Sequence, residues 1–209
     1  MGRLLSRAAV LVSVLLSACS GATVQLDDDI PSPLIEALPL NMGVYLQPAL
    51  TQYVYEERIA DHGDWRIEAG SMQSKLFMQM ASAMFQKAVR VNAITPLDAG
   101  LDGVLAPSIA DFQISIPDQT RSDFYEVWIK YSMRVYDKGG QLIADWPLTA
   151  YGKASQKDYS WYQKTQGPAM QVATLRALRD AGAFFVMGFP KVPAIKAWMS
   201  TLHTPGVTP

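Results

Sequence analysis

The sequence predicts an α+β fold: two helices packed on one face of a mostly antiparallel four-stranded sheet, in the order β-α-β-β-β-α, with a short C-terminal helix. Three observations carry this. Apolar residues recur at helical spacing in two separated segments, around 71–88 and 167–185. Between them, FYEVWIKYSMRVYD alternates cleanly, with Tyr125, Val127, Ile129, Tyr131, Met133 and Val135 on one face. Glu126, Trp128, Lys130, Ser132, Arg134 and Tyr136 take the other. One oily and one wet face mark an antiparallel sheet covered on a single side.

The elements follow in order. MGVYLQP is the first strand, where Val44 and Leu46 alternate with Tyr45 and Gln47. TQYVYEERI is a second extended piece, and Pro48 before it signals a bend or an edge. The loop ADHGDW leads to a helix from Ser71, with Met72, Leu76, Met80, Met84 and Ala88 in one stripe widened by Phe77 and Phe85. After the turn-rich TPLDAGLDG, VLAPSIADFQISI sets Phe112, Ile114 and Ile116 against Asp111, Gln113 and Ser115. FYEVWIKYSMRVYD follows, then a hairpin turn at Asp137 to Gly140 (DKGG). QLIADWPLTAYGKA returns, weakened or bulged at Pro147. Past the polar loop KDYSWYQ, a second helix starts near Gly167 and Pro168. Its alanines, Ala169, Ala173, Ala177 and Ala181, allow close approach to a sheet. VPAIKAWMSTLH is the terminal helix, with Ile195, Trp198, Met199 and Leu202 facing the body.

The chain opens on Arg3, Arg7 and the apolar run Ala8 to Leu16, too short to span a bilayer, so residues 1–18 read as a cleaved signal peptide. Residues 19–39, rich in small residues, aspartate and proline, read as a flexible tether. Residues 40–203 form a single domain and 204–209 a tail. At 49% hydrophobic content the chain affords a real core, and its net charge of −1 offers no basic stripe for nucleic acid. No later apolar run reaches the ~18 residues of a membrane span. Cys19 is the sole cysteine, so no disulfide staples the domain.

Little chemistry is encoded. The two histidines, His62 and His203, lack a nucleophile motif or metal-ligand companions at the usual spacing. Glu56 and Glu57 are adjacent on a strand and point to opposite faces. Met72, Met78, Met80 and Met84 crowd one helix, where cuprous copper is conceivable. Core packing is the better reading, because three of the four lie on the apolar stripe. No catalytic residue, metal or cofactor is expected. Aromatic and cationic residues on the wet sheet face, Trp128, Lys130, Arg134 and Tyr136, form the candidate partner-binding surface, with Tyr159, Trp161 and Tyr162 from the following loop.

Leu16, Ser17, Ala18 and Cys19 resemble the lipobox of bacterial lipoproteins. The resemblance implies cleavage before Cys19 and acylation of Cys19, and Ser20 after it implies sorting to the outer membrane. The domain's element order resembles small periplasmic lipoproteins that serve transport machines: the lipopolysaccharide-assembly lipoprotein, the auxiliary lipoprotein of ABC-type transporters, and YajG-like lipoproteins. The likeness is carried by LPLNMGVYLQP, FMQMASAMFQKAV, GVLAPSIADF, VWIKYSMRVYDKGGQLI and ALRDAGAFF. It implies a non-enzymatic, lipid-anchored, periplasm-facing protein of the outer membrane that acts as an accessory or adaptor in envelope transport or assembly. The alternative is a ligand-binding lipoprotein that holds an apolar or lipid-like molecule between sheet and helices.

Overall fold

The computed structural model describes residues 22–27, 29–95, 100–159 and 167–202. The leader, Cys19, Trp161, Tyr162, His203 and the tail 204–209 lie outside the described residues. The strands are β1 (Ala22–Gln25), β2 (Leu38–Tyr45), β3 (Val54–Ile59), β4 (Gly63–Glu68), β5 (Phe85–Val91), β6 (Gly103–Ser115), β7 (Phe124–Asp137) and β8 (Leu142–Ser155). The long helices are α1 (Gly70–Met84), α2 (Gly167–Gly188) and α3 (Pro193–Leu202), and Pro48–Thr51 and Pro117–Thr120 add single turns.

The α+β class holds, but the layout differs from one four-stranded sheet. A five-stranded sheet runs β5-β2-β6-β7-β8, and a second, three-stranded sheet runs β1-β4-β3. The main sheet is mixed: β2 lies parallel to β5 and β6, while β7 is antiparallel to both β6 and β8. The parallel part follows from connectivity, because β2 reaches β5 through α1 and a crossover returns the chain in the same direction.

Three strands stand where the sequence predicts something else. The predicted helix stripe continues through Phe85 and Ala88, but α1 stops at Met84 and Phe85 already has extended backbone angles. No glycine or proline marks that boundary, and Val89 and Val91 suit a strand beside β2. The loop predicted at ADHGDW is a hairpin instead. Asp61 and Gly63 turn with positive φ, and Trp65 and Ile67 are buried between Asp64, Arg66 and Glu68. The predicted tether is packed from Ala22 onward: β1 pairs with β4, and Val24, Leu26 and Ile30 are buried. Lys75 Nζ binds Asp29 Oδ1 at 2.7 Å, and Arg179 donates to the Asp29 carbonyl. Gln79 donates to the Ile30 carbonyl and to Ser32 Oγ. Residues 22–27 and 29–32 are therefore a strap bound to the domain.

Helices α1 and α2 cover one face of the main sheet, as its alternation predicts. On α1, Met72, Leu76, Phe77, Met80 and Met84 are buried, so the methionines on the stripe serve as core. On α2, Ala169, Ala173, Ala177 and Ala181 recur every fourth residue and are buried. They meet Gly152 of β8, where an added Cβ would lie 2.1 Å from the Ala173 carbonyl oxygen. At Gly152 this contact leaves no room for a ligand between β8 and α2. The three-stranded sheet closes one end of the same face, with Trp65 against Tyr125 and Tyr55 against Phe112. α3 closes another corner through Ile195 and Trp198. The free edge of β8 is blunted: Pro147 lacks an N–H, Tyr151 N donates to Asp180 Oδ2 at 2.9 Å, and Arg176 donates to the Lys153 carbonyl. Among the described residues no helix is long and apolar enough to cross a membrane.

Candidate functional site

Among the described residues no long helix covers the opposite face of the main sheet. There, Glu126, Trp128, Ser132, Arg134 and Tyr136 are half-buried and Lys130 is exposed, each alternating with a buried neighbour. Trp128 lies directly across from Tyr151 of β8, with ring centroids 5.2 Å apart and planes 38° to one another. Such a cross-strand pair fixes both rings. The Tyr151 hydroxyl donates to the Glu126 carboxylate. Desolvation and that bond push its phenol up to about 12. Beside the pair lies a shallow depression of about 290 Å³ lined by Asp111, Gln113, Trp128, Lys130 and Thr149. Gln113 Nε2 donates to Asp111 Oδ2 at 2.8 Å.

Arg134 is already engaged. Its guanidinium reaches Ser108 Oγ at 3.2 Å, Ser132 Oγ at 3.4 Å and Asp145 Oδ2 at 3.8 Å. It thus staples β6, β7 and β8 together. Tyr136 sits eight residues along β7 from Trp128, roughly 26 Å away at strand rise. The predicted surface therefore divides into a Trp128–Lys130 end and an Arg134–Tyr136 end. Tyr159 leaves it: the ring is packed against the hydrophobic core rather than presented beside Trp128. Cys19, Trp161 and Tyr162 lie outside the described residues.

Sequence reading missed the residues that complete the platform, Asp111, Gln113, Thr149 and Tyr151. The signal was partly present. The DKGG hairpin forms as predicted, with Asp137 Oδ1 accepting from Gly139 N and Gln141 N and with Gly140 at positive φ. Counting back from it would set Trp128 near Tyr151, but the register shift between Val135 and Tyr136 displaces the count by one.

Elsewhere, His62 Nδ1 faces Asp118 Oδ2 at 3.5 Å in a surface loop. Among the described residues no group of three or more His, Cys, Asp or Glu side chains is placed to hold a metal ion. The open face offers stacking, hydrogen bonding and charges of both signs, the chemistry of recognition.

An α+β domain with one helix-covered and one open sheet face is the class this geometry defines. No family pattern and no curated protein matches the chain. Among solved structures, a Xanthomonas campestris protein of the DUF330 family is similar with a TM-score of 0.49 at 12% identity, covering 80% of this chain and 92% of that one. A minor lipoprotein from Acinetobacter baumannii is similar with a TM-score of 0.38 at 12% identity, covering 83% of this chain and all of that one.

Proposed function

We propose that this chain is a non-enzymatic lipoprotein, anchored through acylated Cys19 in the outer membrane and facing the periplasm, whose open sheet face docks a partner protein of envelope transport or assembly. The observation that carries this reading is the Trp128–Tyr151 pair on the open face. Two large rings, a lysine and several hydrogen-bonding groups are held there on rigid strands, the composition of interface anchors. Neither a cofactor nor a metal belongs to this reading, and nucleic acid is no partner.

Co-purification from native membranes tests it. The wild-type chain should bring down a transport or assembly protein in fixed ratio, and Trp128→Ala should lose it while melting within a few degrees of wild type. Identical recovery with Trp128→Ala refutes docking at this face. Absence of palmitate label that depends on Cys19 refutes the anchor separately.

A second reading, carriage of an apolar molecule, is favoured by a groove of about 380 Å³ between residues 30–35 and the long helices.

A further inference from the structure

The strap does more than close the domain. Beyond Ile30, its Pro31, Pro33, Leu34 and Ile35 form one wall of a groove against the helices. The floor and far wall come from Met80 of α1 and from Gly182, Ala183, Val186 and Met187 of α2. Arg179 also lines it. Along α2, Arg179, Ala183 and Met187 are successive fourth residues, so the lining extends over about 12 Å of helix. The volume lies within the usual range for small-molecule sites.

The wall is tied down at its start. Proline fixes φ at two of its positions, Gln79 donates to the Ile30 carbonyl and to Ser32 Oγ, and Lys75 and Arg179 bind Asp29 just before it. Leu34 is nevertheless fully exposed. Leu34, Ile35 and Met187, all in the groove lining, are three of the seven large apolar side chains exposed among the described residues. Apolar surface gathered in this way marks a binding surface.

The chemistry of the lining selects among occupants. It is almost wholly apolar, and Arg179 is its only charged residue. A peptide laid there would bring N–H and C=O groups that need partners, whereas hydrocarbon needs none. The thioethers of Met80 and Met187 adapt to an irregular chain. A guanidinium in such a lining suits a carboxylate or phosphate head. We propose that the groove between residues 30–35 and helices α1 and α2 binds one acyl chain of an anionic amphiphile, with Arg179 beside its head group. This inference rests on the apolar-carriage reading and gives it a site and a ligand class.

The test is a photoactivatable hexadecanoate with a mid-chain diazirine. It is added to the processed full chain in digitonin, a neutral detergent with no acyl chain, and the adducts are mapped by mass spectrometry. Adducts are expected on residues 30–35 and 183–187. Ala183→Trp, at an exposed position that fills the groove, should cut the yield at least tenfold with an unchanged melting temperature. Leu34→Glu, at another exposed position, should lower it several-fold. Arg179→Met should weaken competition by unlabelled hexadecanoate about tenfold, several-fold more than it weakens competition by hexadecanol; equal losses for the two competitors overturn the placing of Arg179 beside the head group. A phosphatidylglycerol bearing the same diazirine chain, supplied in vesicles, labels the same residues if the ligand is drawn from a bilayer; labelling by the free acid alone identifies a free amphiphile. Adducts scattered elsewhere, or a yield indifferent to Ala183→Trp, overturn the assignment. Loss of a co-purifying protein in Ala183→Trp with undiminished photolabelling overturns it in favour of a protein surface. Carriage itself fails on a different result, the absence of any bound amphiphile when the wild-type chain from membranes is examined by native mass spectrometry.

Discussion

Replacing Gly152 with alanine adds one methyl group where the structure has no space for it. The new Cβ would sit 2.1 Å from the Ala173 carbonyl oxygen and 2.3 Å from Ala177 N, both on the backbone of α2, so no side chain can swing aside. Ordinary contact begins at 3.4 Å. Helix α2 therefore has to retreat by about 1.3 Å, a gap large enough to forfeit a quarter or more of the dispersion energy along the contact. Ala169, Ala173, Ala177 and Ala181 are all buried in α2 and would lose packing together. The expected cost is about 3 kcal/mol, the upper end for overpacking, because the obstruction is backbone. In a chain of this size that lowers the melting temperature by roughly 6–12 °C. Urea unfolding should show an earlier midpoint with an unchanged slope. Gly188→Ala is the control: its Cβ would meet nothing within 4 Å, and alanine favours a helix by up to about 1 kcal/mol. A Gly152→Ala protein within about 0.5 kcal/mol of wild type would refute close approach of α2 to β8.

Three further outcomes follow from the same packing. Val24→Asp should destabilise by at least about 2 kcal/mol, because a carboxylate would enter a buried site; a flexible tether at residues 19–39 would leave the urea midpoint unchanged. Tyr131→Phe removes the hydroxyl that donates to Gln73 Oε1 at 2.5 Å in the core and should cost about 1–3 kcal/mol, with Gln73→Leu added to it restoring part of the loss in thermal unfolding. Stability should fall as pH rises above about 10. The phenols of Tyr53, Tyr55, Tyr125, Tyr131 and Tyr151 are all raised by burial, so the folded chain keeps protons there that the unfolded chain releases. For Tyr151 the window runs from 10 to about 12, and Tyr151→Phe should flatten that part of a urea-midpoint profile.

Legibility in the sequence followed the strength of local patterning. Strand β7 alternates over fourteen residues, and both its faces are as the pattern requires. The alanine stripe of α2 likewise announced a close helix–sheet contact, although its partner Gly152 lies in a different element. Strand β5 was hidden because Met80, Met84 and Ala88 suit a helix stripe, while pairing with β2 decides the conformation of the last of them. Strand β1 was hidden by its setting. Val24 and Leu26 flank polar Gln25, but four residues near a run of aspartates and prolines carry no weight until β4 offers an edge. The candidate surface was legible on one strand only, since Trp128 and Lys130 share a strand with the pattern while Asp111, Gln113, Thr149 and Tyr151 come from its neighbours. The apolar groove was not legible at all. It exists only because the strap returns across α1 and α2, and that contact is non-local.

Site-specific photocrosslinking in intact cells tests docking at the open sheet face most directly. A photoreactive amino acid placed at Lys130, exposed beside the Trp128–Tyr151 pair, should capture one envelope protein as a single adduct. The same group at exposed Arg176 on the helix-covered side should not. An adduct from Arg176 and none from Lys130 would contradict the account and move the docking surface to the other side of the molecule.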